Sequence, residues 1–212
     1  MNFAASSELF ALADRELWLI TAEADGLRGG LIATFVSHAS LVPELPRVLI
    51  AVAKQHHTWR LIEASKAFGA HLLAERHLEW VWRFGLQSGR DVDKFAGLSF
   101  DRAVTGSPLL GDSLGWLDCG VETQLDTCDR TVYVAQVLEA RRLLDGPPLT
   151  MKRLLELAPP ERLEQLRQLR LRDSAVDAAA IRAWRGRNPE AASDERHGAS
   201  GADASGSPAP TS

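Results

Sequence analysis

Between residues 16 and 140 the chain breaks into short apolar runs, separated by turns that contain Gly, Pro or Asp. That rhythm constrains the fold more than any other feature. Many short strands with few helices between them point to a barrel or a sandwich. Residues 16–23 (ELWLITAE) read as a strand that ends at Asp25-Gly26. Residues 30–41 (GLIATFVSHASL) form a second extended run. Residues 47–54 (RVLIAVAK) form a third, nearly continuous in apolar residues, the pattern of a strand buried on both faces. Residues 67–73 give a fourth, and residues 115–124 and 131–140 read as a long hairpin with its turn at 126–129. The expected class is mainly β with flanking helices.

The helices are fewer and mostly late. At 58–66 (TWRLIEASK) the apolar period lengthens to that of a helix, with Thr58 as its N-cap. Residues 78–84 read as a short helix. After Pro148, residues 149–157 form one helix, and Pro159-Pro160-Glu161 opens another. Leu163, Leu166, Leu169 and Leu171 make an apolar stripe along it. Asp173-Ser174 reads as the cap of a third helix over 175–185. Such a stripe needs a surface to cover it, on the barrel, on a second subunit or on both. Residues 187–212 lack aromatic and branched aliphatic side chains, so they are expected to stay disordered. The organisation is therefore a barrel domain over 6–147, a helical extension over 148–186 and a tail over 187–212.

Charge and composition exclude several function classes. The net charge of −4 argues against nucleic-acid binding, which calls for a basic face. Two cysteines, Cys119 and Cys128, are too few for a disulfide scaffold and fit a reducing, cytoplasmic setting. Residues 1–12 contain Glu8 and no Lys or Arg, unlike a signal peptide. No apolar run approaches the ~20 residues that span a bilayer, so no membrane partner is expected. The phosphate-loop, dinucleotide, serine-hydrolase and zinc-protease motifs are missing. His56, His57, His71 and His77 do not form a metal pattern, and the cysteines are separated by eight residues, so no metal site is expected.

Residues 29–59 are the chemically informative stretch. They hold Gly29-Gly30, then Ala33, Thr34, Ser37 and Ser40, then Pro43, Pro46 and the apolar strand, and end in Lys54-Gln55-His56-His57-Thr58-Trp59 at a helix start. Small residues let a backbone approach a flat ring. A helix N-terminus offers unpaired N–H donors to a phosphate, and Lys54 and the imidazoles add positive charge. Each feature has a plain alternative. Ser37 and Ser40 can satisfy strand-edge or turn backbone, Thr58 can be a cap, and Lys54 can be a solvated strand end.

The order of segments adds information. Residues 30–40, Pro46, 48–54 and Thr58 together resemble the flavin reductase-like, FMN-binding split-barrel family. The likeness is greatest to the flavin reductase module of diflavin flavoproteins. It continues through Phe84, Asp93-Lys94-Phe95, Ser107-Pro108-Leu109-Leu110, the segment 114–119 (LGWLDC) and the segment 129–137 (DRTVYVAQV), and covers about 16–144.

The resemblance implies a split β-barrel that binds FMN, with the helical extension appended. By carry-over, Ala33, Thr34 and Phe35 would lie along the isoalloxazine edge, with Ser37 and Ser40 near the ring or ribityl chain. Lys54, His57 and Thr58 would face the phosphate, while Phe84, Lys94 and Phe95 would close the pocket rim. Family members are usually dimers with the flavin near the subunit interface. Ile32 and Thr34 depart from the family's Thr and Asn, and Cys128 and Arg130 replace its Gly and His. An arginine cannot act as a neutral acid or base. Arg130 is left to contact a phosphate or the flavin's pyrimidine end, or to pair with Asp129 or another acid. No obligatory protein acid or base is expected. The leading function is hydride transfer from NAD(P)H to bound FMN. The alternatives are a non-catalytic FMN carrier or redox partner, and a cofactor-free dimeric interaction module.

Overall fold

The computed structural model describes residues 3–188. Strands β1 (Trp18–Ala24) and β2 (Leu27–Ala33) pair antiparallel with Ala24 opposite Leu27, so Asp25 and Gly26 alone make the loop. Both take positive φ, 52° and 73°. A two-residue loop with both residues left-handed is the type I′ turn, whose twist suits a hairpin and which favours Asp-Gly.

Five further strands complete the sheet: β3 (Val36–His38), β4 (Arg47–Ala53), β5 (Ala67–Leu72), β6 (Gly115–Asp126) and β7 (Arg130–Arg142). Their order is β2-β1-β5-β6-β7-β4-β3, with every pairing antiparallel. Thus β2 and β3 lie at opposite edges, yet only Thr34 and Phe35 connect them. In a flat sheet those edges would stand roughly 29 Å apart at ~4.8 Å per strand. Three Cα steps from Ala33 to Val36 reach about 11 Å. The sheet must therefore curl, and it forms a half-barrel. Register shifts at Asp118/Cys119 and Val121/Thr123 bend the long β6–β7 hairpin to follow that curve.

Two apolar clusters hold the elements together. Ile20, Val48, Ile50, Val52, Phe68 and Tyr133 fill the barrel, and helix α2 (His57–Ser65) adds Leu61 and Ile62. Outside the barrel, Leu17, Leu19 and Leu73 pack with Val81, Trp82 and Phe84 of α3 (Leu78–Leu86), and with Phe95, Leu110, Leu149 and Leu154. Residues 148–150 stay on the barrel: Leu17 N–H donates to Leu149 O at 2.8 Å and Leu149 N–H to Leu73 O at 2.7 Å. Helix α4 (Met151–Leu157) follows at once and buries Leu154 in the outer cluster.

Three expectations change. The run 30–41 is not one strand, because the chain must cross from one edge of the sheet to the other at Thr34-Phe35. An N-terminal helix, α1 (Phe3–Leu12), stands where no element was expected. The region after Pro159 is one unbroken helix, α5 (Pro160–Arg187), rather than two. No Gly or Pro separates Arg172 from Ala175, and the alanine-rich residues that follow propagate a helix readily, so Asp173 and Ser174 do not act as a cap. No residue of α5 is fully buried; Leu163 and Leu166 rest half-buried on the outer cluster. The expected tail lies outside the described residues beyond residue 188. Among the described residues no helix is long and apolar enough to cross a membrane.

Candidate functional site

Strand β4 delivers the chain to the start of α2 through Lys54, Gln55 and His56. His56, not Thr58, is the N-cap; its backbone is extended (φ −75°, ψ 141°) and its side chain makes no capping bond. The first-turn amides of a helix have no intrahelical acceptor and attract anions. Cations gather around this end. Arg90 Nη2 donates to Gln55 O at 2.8 Å. Burial lowers the pKa of His57, and Arg90, Arg60 and Lys94 lower it further. Burial likewise lowers that of His56, where Lys94 and Arg130 add to the effect while Asp173 and Asp177 of α5 oppose it. Gln55 Oε1 is buried without a hydrogen-bond partner among the described residues.

The paired glycines sit beside this end but serve packing. A Cβ on Gly29 would lie 2.9 Å from Leu61 Cδ1 and 3.1 Å from Thr58 Oγ1; one on Gly30 would lie 2.7 Å from Phe84 Cδ1. The space that the glycines leave is thus filled by α2 and α3, not held open for a ring. Thr58 is buried, with its hydroxyl turned toward Gly29, so its backbone rather than its side chain meets the helix end. Phe84 and Phe95 pack edge to face at 5.3 Å in the outer cluster and lie behind the surface, not along a rim. Lys94 is buried, and its Nζ donates to Gly30 O at 3.0 Å and Phe84 O at 2.8 Å. Burial pulls its pKa down to about 8, which leaves it mostly protonated at neutral pH.

A second group forms around the β2–β3 crossing. Phe35 is half exposed, with the Arg15 and Arg130 guanidinium carbons 5.4 and 5.3 Å from its ring centre. Arg130 bridges two acids, Asp129 at 2.6 Å and Asp177 of α5 at 2.7 Å. Burial raises the Asp177 pKa, and Arg130 works against that rise. His56 lies within electrostatic reach of Lys94 and of Arg130, Asp173 and Asp177.

The remaining candidates stand apart. Lys54 Nζ pairs with Asp126 of β6 at 2.6 Å. Ser37 Oγ donates to His38 O at 3.3 Å, and Ser40 Oγ accepts from Val42 N–H at 3.1 Å; both are local backbone contacts. Ala33 is buried opposite Trp18, and Thr34 is half-buried in the crossing. The sequence reading missed Arg15, Arg60, Arg90 and Asp177, gave Asp173 only as a helix cap, and named Gln55 and His56 without a particular role. Gln55 and His56 lay within the informative stretch; Asp177 gave no local signal.

The profile of the "Flavin reductase like domain" matches residues 13–153. The chain belongs to that family. The reductase subunit HsaB of a flavin-dependent monooxygenase from Rhodococcus jostii is 35% identical over 135 residues, 64% of this chain and 67% of that protein. Diflavin flavoprotein A 1 of Synechocystis sp. is 31% identical over 126 residues, 59% of this chain but 22% of that much longer protein. The crystal structure of a flavin reductase domain protein from Arthrobacter sp. FB24 superposes with a TM-score of 0.62 at 26% identity, covering 69% of this chain and 89% of that one. The resemblance drawn from the segments between 30 and 137 is therefore a family relationship.

Proposed function

We propose that this chain is an FMN-binding oxidoreductase of the flavin reductase type, with the flavin phosphate at the N-terminal end of α2. The carrying observation is the uncapped start of α2 with Arg60, Arg90 and Lys94 around it. The buried, unpaired Gln55 Oε1 fits the same ligand, since a ribityl hydroxyl or ring N–H would supply its missing donor. In this reading the amides of the first turn and Arg90 bind the phosphate, and Lys94 adds charge from behind while holding β2 to α3. Phe35 and the Thr34 backbone border the ring. Arg130 orients by charge alone, since it holds its proton throughout. FMN, when bound, supplies the hydride chemistry, and the chain supplies binding, orientation and exclusion of water. NAD(P)H is the proposed reductant, a protein such as an oxygenase subunit the proposed electron acceptor, and the cytoplasm the proposed setting.

Purified protein should carry extractable FMN and absorb near ~450 nm, the band of an oxidised flavin. Added NADH or NADPH should be oxidised faster than by the same concentration of free FMN. A colourless protein that takes up no FMN would overturn the reading. A second reading, a flavin carrier without nicotinamide turnover, is favoured by Arg130 standing where the family has His and being tied to two acids. FMN uptake without NAD(P)H oxidation would select it.

A further inference from the structure

We infer that α5 is an internal anion latch: Asp177, backed by Asp173, holds Arg130 in the place of a flavin phosphate or ring oxygen, so that flavin loading releases the C-terminal half of the helix. The inference rests on the proposed FMN site and adds a regulatory role for the helical extension.

The two halves of α5 are attached differently. Near its start, Leu163 and Leu166 pack on the outer cluster, and the Arg162 guanidinium carbon lies 5.8 Å from the Trp82 ring centre. One turn and more beyond, Leu171 and Val176 are exposed. A polar contact ties this half to the barrel, from Arg130 Nη2 to Asp177 Oδ2 at 2.7 Å, and Ala178 and Ile181 are half-buried beside it. That guanidinium also lies 5.3 Å from the centre of the Phe35 ring, in the crossing proposed to border the flavin. Asp173 and Asp177 both act on His56, the cap residue of α2. The carboxylates of α5 therefore meet the cationic face that an anionic ligand would need. Two anions cannot share one cationic site without repulsion. The pair keeps side-chain accessibilities of 24% and 20%, so water and a competing anion can reach it and exchange with it. A helix with no fully buried residue can lift away without opening a core.

The test uses the full-length chain and its Asp177→Asn and Asp173→Asn variants, with FMN, FAD and riboflavin as probes. Asparagine keeps the side-chain shape, and circular dichroism confirms that each variant is folded. Asp177→Asn should bind FMN about fivefold more tightly than wild type, the scale of one partly exposed ion pair, with a smaller gain for Asp173→Asn. Riboflavin, which lacks the phosphate, should gain less if the latch competes with the phosphate. An equal gain for riboflavin would place the competing group at the ring instead, and a gain for FAD equal to that for FMN would mean that any flavin phosphate displaces the latch. Hydrogen exchange separates a latch from a fixed negative charge. FMN added to wild type should speed amide exchange over 173–187 and leave 160–168 unchanged. Equal FMN affinity in wild type and variants, or slower exchange over 173–187 with FMN, would overturn the latch while leaving the FMN site standing. Failure of every form to bind any flavin would overturn both.

Discussion

A methyl group at Gly30 would lie 2.7 and 2.9 Å from two carbons of the Phe84 ring, closer than carbons approach. The ring cannot swing aside, since Phe95 packs edge-on against it. Gly30→Ala should therefore destabilise the fold by about 1–3 kcal/mol, the range for overpacking. Urea unfolding measures this, and a loss under ~0.5 kcal/mol, the size of an ordinary surface change, would mean that the ring relaxes. His71 makes a different kind of statement. Leu110 N–H donates to its Nε2 at 3.0 Å, so that nitrogen bears no proton, and Nδ1–H donates to Leu19 O at 2.9 Å. Burial holds the imidazole pKa down at about 4 against an ordinary 6.5. Unfolded chains take up this proton near 6.5 and folded ones only near 4, so the unfolded state binds more protons between those values. Stability should be unaffected by His71 above pH 6.5, fall as pH drops from 6.5 to 4, and level off below. The loss is of order 3 kcal/mol across that window. Urea titrations from pH 7 to pH 4 should show the slope in wild type and a shallower one in His71→Gln. Equal slopes would assign the acid loss to other groups.

At the scale of elements, legibility follows whether the signal is local. Asp25-Gly26 announces its hairpin because the turn needs two left-handed residues. The β6–β7 hairpin and β4 are equally plain, since β-rich runs and turn residues coincide there. The extent of α5 is not readable, because an Asp-Ser pair inside a helix looks like a cap until the backbone decides otherwise. The candidate site divides in the same way. The start of α2 is visible as a period change with basic residues before it. Arg130 is visible only as a departure from the family's pattern, and its partner Asp177 lies 47 positions away, beyond any local rule. The start of α4 gives an element-scale test. Thr150 is its N-cap and accepts from Arg153 N–H at 3.3 Å. Thr150→Ala should cost about 1 kcal/mol, felt by the whole fold because Leu154 of α4 lies in the outer cluster. A midpoint in urea indistinguishable from wild type would show that Arg15, whose carbonyl accepts from Met151 N–H at 2.8 Å, holds the helix start by itself.

At the scale of the whole molecule, among the described residues, an apolar loop lies uncovered after the crossing that holds Phe35. Leu41 is 94% exposed, Leu45 61% and Val42 47%, in the loop that follows edge strand β3, and Phe35 lies at the crossing that precedes it. Several large apolar side chains exposed within one short loop mark an interaction site more often than bare surface does. A second copy of this chain is the partner that the family resemblance implies. An edge strand and an apolar loop offered to an identical surface would bury both at once. Sedimentation should then give twice the 23.2 kDa chain mass at micromolar concentration. Leu41→Glu puts two like charges near each other across a two-fold contact, and it should shift the protein to the monomer with its circular dichroism unchanged. Because Phe35 is close in sequence to this loop and borders the proposed flavin site, the monomeric variant should also bind FMN more weakly, by roughly tenfold or about 1.4 kcal/mol. A Leu41→Glu protein that stays dimeric would move the interface elsewhere. A wild type that sediments as a monomer at tens of micromolar would remove the dimer from the proposed function and leave the 41–45 loop free for an electron-accepting protein.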